Sequence, residues 1–154
     1  MQEMRSLVFE LRPADLESEG LVATLEKHVD VLQRVHGADI ALEVAGDRRL
    51  DPRVEKELFR IVQEAIGNAL KHAGASSIRV RVQVDGRALL SVTDDGAGFD
   101  AVAAPARTRR LGLTSMRERA EALGGTLAVH SRPGAGTTVS VEVDVGTRHQ
   151  SPRR

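Results

Sequence analysis

Apolar residues recur along the chain with two periods, and the switches between them divide it into elements. Leu21, Leu25, His28, Val29, Leu32 and Val35 fall at helical spacing and stop at Gly37, a residue suited to close a helix. Ahead of them, residues 1–11 read as the end of another helix, halted at Arg12-Pro13 because the residue before proline is driven out of the α region. Ile40–Val44 is a short strand. Asp51-Pro52 is a helix start, a capping carboxylate followed by the ring that suits the first helical position. The apolar face Leu58, Ile61, Val62, Ala65, Ile66, Ala69 and Leu70 carries that helix for about twenty residues, to Ala73-Gly74. Ile78–Val84 and Ala88–Val92 then alternate with period two across Asp85-Gly86, a hairpin signal. Residues 97–111 show no period and predict a long loop. A helix is expected from Thr114-Ser115, where Ser115 and Glu118 fit a capping box, to Gly124-Gly125. Thr126–Ser131 and Thr137–Val145 form a second hairpin around Pro133–Gly136, and residues 146–154 a frayed polar tail. The sum is an α+β two-layer sandwich, a mixed, mostly antiparallel sheet of about five strands with helices on one face.

Composition narrows the function. The chain has 154 residues, one domain's worth, with 22 basic and 22 acidic side chains, so no bulk charge draws it to nucleic acid or anionic lipid. Zero cysteines exclude disulfides, thiolate metal sites and cysteine nucleophiles. No apolar run approaches the roughly 20 residues of a membrane span, and the N-terminus lacks the order of a signal peptide. The expectation is a cytoplasmic protein without membrane contact. Three Phe and no Trp or Tyr predict an aliphatic ligand pocket. The charge is uneven: residues 1–60 hold 9 basic and 13 acidic side chains, residues 61–154 hold 13 and 9. Arg107, Arg109, Arg110, Arg117 and Arg119 form the densest cluster, which suits either a solvated helix face or an anionic ligand. His28 and His36 read as packing or surface residues.

Glu64, Asn68, Lys71 and His72 share one stripe beside the apolar face of the 51–73 helix. Carboxylate, carboxamide and ammonium together suit hard-cation coordination and phosphate neutralisation, although an ordinary solvent face carries the same mix. Asp94-Asp95-Gly96-Ala97-Gly98-Phe99 follows a strand: the glycines permit close backbone approach and the carboxylate accepts from an exocyclic amine, or the segment is a plain turn. Leu111-Gly112-Leu113 and Gly134-Ala-Gly136-Thr137 offer backbone N–H groups for phosphates.

In order, E-x-x-x-N-x-x-K-H, D-x-G-x-G, a loop, G-L-x-x-M-R-E-R and G-x-G-T resemble the N box and glycine boxes of the GHKL ATPases, whose fold is the Bergerat ATP-binding fold. Within these the chain resembles the catalytic domain of two-component sensor histidine kinases. Met116–Arg119, Leu123–Gly125 and the segment Arg5–Pro13 are similar to the subfamily paired with NarL-type response regulators. The resemblance covers about residues 3–145. It implies ATP and Mg²⁺ as cofactors and a role for each matching residue. Asp94 binds the adenine amine, Gly96 and Gly98 shape the pocket, and Thr137 supports the adenine end. Asn68 holds Mg²⁺ with Glu64, directly or through water, and Glu64 also orients the attacking group, while Lys71 and His72 reach phosphate oxygens. Gly112 and Leu113 lie where the lid, residues 99–111, meets its helix. Arg110 replaces a family glycine, and its guanidinium is expected to bond phosphate instead.

No H-D or H-E dipeptide occurs, so the phosphoacceptor histidine of the family is absent from these residues. The expected division is 1–13 as the end of a dimerisation helix, 14–145 as the ATP-binding domain and 146–154 as a tail. The partners implied are the dimerisation and histidine phosphotransfer domain of the same kinase and a NarL-type response regulator. Competing readings are a GHKL serine kinase of the anti-sigma-factor type and a nucleotide-sensing interaction module.

Overall fold

The computed structural model describes residues 13–46, 49–71, 73–99 and 107–145, and the side chains among them except those of 13–15, 17 and 107–111. The elements run α1 (Pro13–His36), β1 (Asp39–Ala45), α2 (Pro52–Lys71), β2 (Ser77–Val84), β3 (Arg87–Asp94), α3 (Arg107–Ala122), β4 (Thr126–Ser131) and β5 (Thr137–Asp144). The strands form one sheet in the order β1-β2-β3-β5-β4. Only β1 and β2 pair in parallel, because α2 lies between them as a crossover; the other pairs are antiparallel.

Alternation places the core. Ile78, Val80, Val82 and Val84 of β2, Ala88, Leu90 and Val92 of β3, and Val139, Val141 and Val143 of β5 all point to one face and are buried. Leu58, Phe59, Ile61, Val62, Ala65, Ile66 and Ala69 of α2 fill that face from above. α1 and α3 flank α2, so the helical layer covers one side only. On the bare side Arg79 and Arg81 share Glu43 at 3.7 and 3.0 Å, exposed pairs of small energetic value. None of the described helices is long and apolar enough to cross a membrane.

Asp51 caps α2 as its position requires, accepting from the Arg53 N–H at 2.8 Å. The Asp85-Gly86 turn joins β2 to β3, and α3, whose last residue is Ala122, is closed off by Gly124 (φ 75°) with the N–H of Gly125 on the Ala120 carbonyl at 2.9 Å.

Two boundaries differ from expectation. α1 starts at Pro13 rather than near Leu21, since proline that halts one helix also suits the first turn of the next. The first turns break at Gly20, which takes φ 94°; a Cβ there would meet Arg49 Nε at 2.7 Å. α3 begins at Arg107, so residues 107–111 are helical rather than loop and Ser115 lies inside the helix, where it makes no capping box. Gly112 suggests a break by propensity, but one glycine costs a helix only about 1 kcal/mol. The expectations for residues 1–12, His72, 100–106 and 146–154 lie outside the described residues.

Candidate functional site

The expected stripe forms on the C-terminal half of α2. Glu64 and Lys71 are exposed and Asn68 is half-buried, one and two turns apart on the edge of the buried face. α3 crosses this stripe at Gly112. A Cβ on Gly112 would stand 2.7 Å from Glu64 Oε2 and 3.4 Å from Asn68 Nδ2, so both polar ends converge on one cradle that any other residue would fill. Arg119 Nη1 fixes the crossing by its 2.8 Å contact with Glu57 on α2, and Arg117 Nη1 bonds the Leu127 carbonyl at 3.1 Å. Those two arginines are thus spent on packing the helix. Of Arg110 the structure describes no side chain.

Beside the cradle lies a cavity of about 30 Å³, bordered by Asn68, Asp94, Gly98, Phe99, Leu113 and Thr137 with Ala65, Val92 and Val139 as apolar walls. Asp94, at the end of β3, is buried. Its Oδ1 accepts the Gly96 N–H at 2.8 Å and its carboxylate also takes the Thr137 N–H. Burial pushes its pKa up, the two N–H groups oppose that, and the neighbouring Asp95 charge adds to it. Asp95 has the opposite role. Exposed, it accepts from the N–H groups of Ser76 and Ser77 at 2.9 and 3.0 Å, and these hold its carboxyl below the usual range.

The glycines let three loops touch. A Cβ on Gly96 would lie 2.5 Å from Ala73 Cβ, and one on Gly136 2.0 Å from the Asp94 carbonyl. The Gly134 N–H is given to the Ala97 carbonyl, and Gly112 is the sixth residue of α3, past the first four N–H groups that a helix leaves unpaired. Neither offers its N–H to phosphate in this conformation.

Asn68, Asp94, Gly98, Leu113 and Thr137 therefore meet around one cavity, Glu64 and Gly112 meet beside it, Gly96 supports it from behind, and Lys71 lies at the outer end of the stripe. The pocket is not wholly aliphatic, because Phe99 lines it; its place directly after D-x-G-x-G was the available signal. Ala73 and Ser131 had none, since their importance comes from contacts across the chain. Among the described residues no group of three His, Cys, Asp or Glu forms a metal cage. Glu64 presents a carboxylate oxygen at the cradle and Asn68 its Nδ2; with the carboxamide turned over, the Asn68 oxygen would be the second donor, a set that fits Mg²⁺, an ion that keeps waters and substrate phosphates for its other positions.

Comparison with known proteins gives the chain its relatives. Residues 53–147 match the model of the histidine kinase-, DNA gyrase B- and HSP90-like ATPases. An uncharacterized sensor-like histidine kinase of Chloroflexus aurantiacus is 40% identical over 152 residues, covering 93% of this chain and 25% of that protein. Sensor histidine kinase LiaS of Bacillus subtilis is 38% identical over 93% of this chain and 39% of its own length. The chain thus spans well under half of these relatives. Among solved structures, the histidine kinase domain of the Erythrobacter litoralis EL346 blue-light activated kinase superposes with a TM-score of 0.64 at 25% identity, over 81% of this chain and 65% of that one. With the matched residues spanning most of the fold and the whole of the cavity, the chain belongs to the family of histidine kinase-, DNA gyrase B- and HSP90-like ATPases.

Proposed function

We propose that residues 14–145 are the ATP- and Mg²⁺-binding catalytic domain of a cytoplasmic sensor histidine kinase module. The domain presents the γ-phosphate of ATP to a histidine on the dimerisation domain of the same kinase. From there the phosphoryl group is relayed to an aspartate on a response regulator with a NarL-type output domain. Residues 1–13 are then the end of the dimerisation helix and 146–154 a tail. The observation that carries the reading is the junction of Asp94, buried at the cavity, with the Glu64 and Asn68 cradle opposite Gly112.

Each residue then has a task. The Asp94 carboxylate accepts the adenine amine, with Thr137 beside it, while Gly96 and Gly98 hold the loop that carries Asp94. Asn68 and Glu64 hold Mg²⁺, which when bound neutralises phosphate charge. Lys71, His72 and Arg110 reach phosphate oxygens, Gly112 keeps the cradle open, and Leu113 closes the apolar wall. Glu64 also orients the attacking imidazole. Phosphoryl transfer asks a protein mainly for such positioning and neutralisation, so a site built without a covalent nucleophile suits it.

Mixing the chain with a separately expressed dimerisation hairpin of its parent kinase and labelled ATP tests this. The expected product is acid-labile phosphohistidine on the hairpin. ATP binding without it would leave a nucleotide-sensing module, and acid-stable phosphoserine on a protein antagonist would identify the serine kinase alternative.

A further inference from the structure

Ser131, near the end of β4, makes three hydrogen bonds with one hydroxyl. Its Oγ accepts the Phe99 N–H at 2.9 Å, donates to the Gly136 carbonyl at 3.0 Å and lies 2.8 Å from Thr137 Oγ1. A serine hydroxyl has one proton and two lone pairs. The Gly136 carbonyl can only accept, so the serine proton goes there. The Phe99 N–H can only donate, which fills one lone pair. The remaining contact must then run from Thr137 to Ser131, with the threonine proton pointing at Oγ of Ser131.

This determines what the cavity offers. Thr137 has already given its backbone N–H to Asp94 and now gives its hydroxyl proton to Ser131. Toward the cavity, which Thr137 and Asp94 both line, it presents lone pairs only, as an ionised Asp94 does. Gly136, at φ 78° and with the Asp94 carbonyl where a Cβ would stand, leaves that turn no other seat. We propose that Ser131 is a positioning residue for the nucleotide pocket: it ties the Asp94–Phe99 loop to the Gly136-Thr137 turn and sets the polarity of Thr137. Where it meets the exocyclic 6-position, the pocket edge is thereby an acceptor surface that favours an amino group over the oxo group of a 6-oxo-purine, whose carbonyl would find no donor there.

The inference rests on the ATP-binding reading, and the test separates the two. A fluorescent adenine nucleotide bound to the full chain is displaced by ATP or by inosine triphosphate, which differs at the purine 6-position. The wild type should prefer ATP. Ser131→Ala frees the Thr137 proton and should lower the ATP-to-inosine-triphosphate ratio about tenfold. Ser131→Thr, which keeps the hydroxyl, should restore it, and Thr137→Val combined with Ser131→Ala should lower it no further than Thr137→Val alone. Equal weakening of both nucleotides by Ser131→Ala, or a folded Ser131→Thr that fails to restore the ratio, overturns the inference while the ATP reading stands. A wild-type chain that binds no adenine nucleotide overturns both. Should Ser131→Ala not fold, Ser131→Cys, a weaker donor and acceptor of similar shape, takes its place: a lowered ratio supports the inference and equal weakening overturns it.

Discussion

The two ends of helix α2 carry glutamates that the fold treats in opposite ways. Near the N-terminal end Glu55 is 1% exposed, and its carboxylate takes Arg49 Nε at 3.1 Å, Arg49 Nη2 at 3.2 Å and the Leu50 N–H at 3.1 Å. Toward the C-terminal end Glu64 is exposed, and among the described residues no hydrogen bond or ion pair engages it; its Oε2 faces the bare Cα of Gly112. Side chain and helix are the same, so the surroundings make the difference. An acid whose two oxygens are both held by protein donors anchors a loop. One that meets, among the described residues, a glycine at its Oε2 is open on that side to a ligand.

The strongest way to break this contrast is at the cradle. Asn68→Ala or Glu64→Gln should cut phosphotransfer at least about 100-fold, some 2.7 kcal/mol, with an unchanged melting temperature. A melting loss that tracked the activity loss would place Glu64 with Glu55 among the structural acids.

At the structural end, His28 packs edge-on against Phe59 with ring centroids 5.4 Å apart, and burial lowers its pKa from 6.5 to about 4. The unfolded chain therefore takes up a proton below pH 6.5 that the folded chain refuses until about pH 4. Stability should fall by roughly 3 kcal/mol as pH drops through that window, and His28→Leu should flatten the slope in urea titrations at several pH values. Glu55→Ala should cost about 2 to 3 kcal/mol, below the usual loss for a fully buried pair because Arg49 is half exposed. Nucleotide affinity of its folded fraction should be untouched.

The adjacent aspartates repeat the contrast on a smaller scale. Asp94→Asn should weaken ATP about tenfold, yet it should not destabilise the unliganded fold, because a carboxyl whose folded pKa is raised opposes folding once ionised. Asp95→Asn should do the reverse: its lowered pKa is stability held above the unfolded value and lost as pH falls through the folded one. Melting should drop by a few degrees and isothermal titration show unaltered affinity. The smallest effect is expected at Gly112→Ala, where about 1 kcal/mol of helix propensity offsets the displacement of the Glu64 carboxylate, leaving stability nearly constant and Mg²⁺-dependent affinity about threefold weaker.

Much of this was legible because it is periodic. The Val-rich strands, the Asp51-Pro52 start, the Asp85-Gly86 turn and the Glu64, Asn68 and Lys71 stripe each need only neighbours in sequence. The start of α3 was not, since Gly112 is a breaker by propensity and is kept for a contact with α2 that the local sequence does not contain. The parallel pairing of β1 with β2, the break at Gly20 and the three bonds of Ser131 are equally non-local. At the site, the positions of Asp94 and Thr137 could be read from motif order, but the division of labour between Asp94 and Asp95 depends on which carboxylate the Ser76 and Ser77 amides reach.

The narrowness of the cavity has a kinetic consequence. About 30 Å³ holds about two water molecules, far less than a purine ring system, so the lining has to widen before a base can enter. Capture of nucleotide is then two events in series, an opening that the protein sets and a collision that concentration sets. The observed association rate should level off at high nucleotide, and the plateau is the opening rate itself. Part of the gross binding energy goes to widening the slot, so a substitution that props it open should tighten binding without adding a contact.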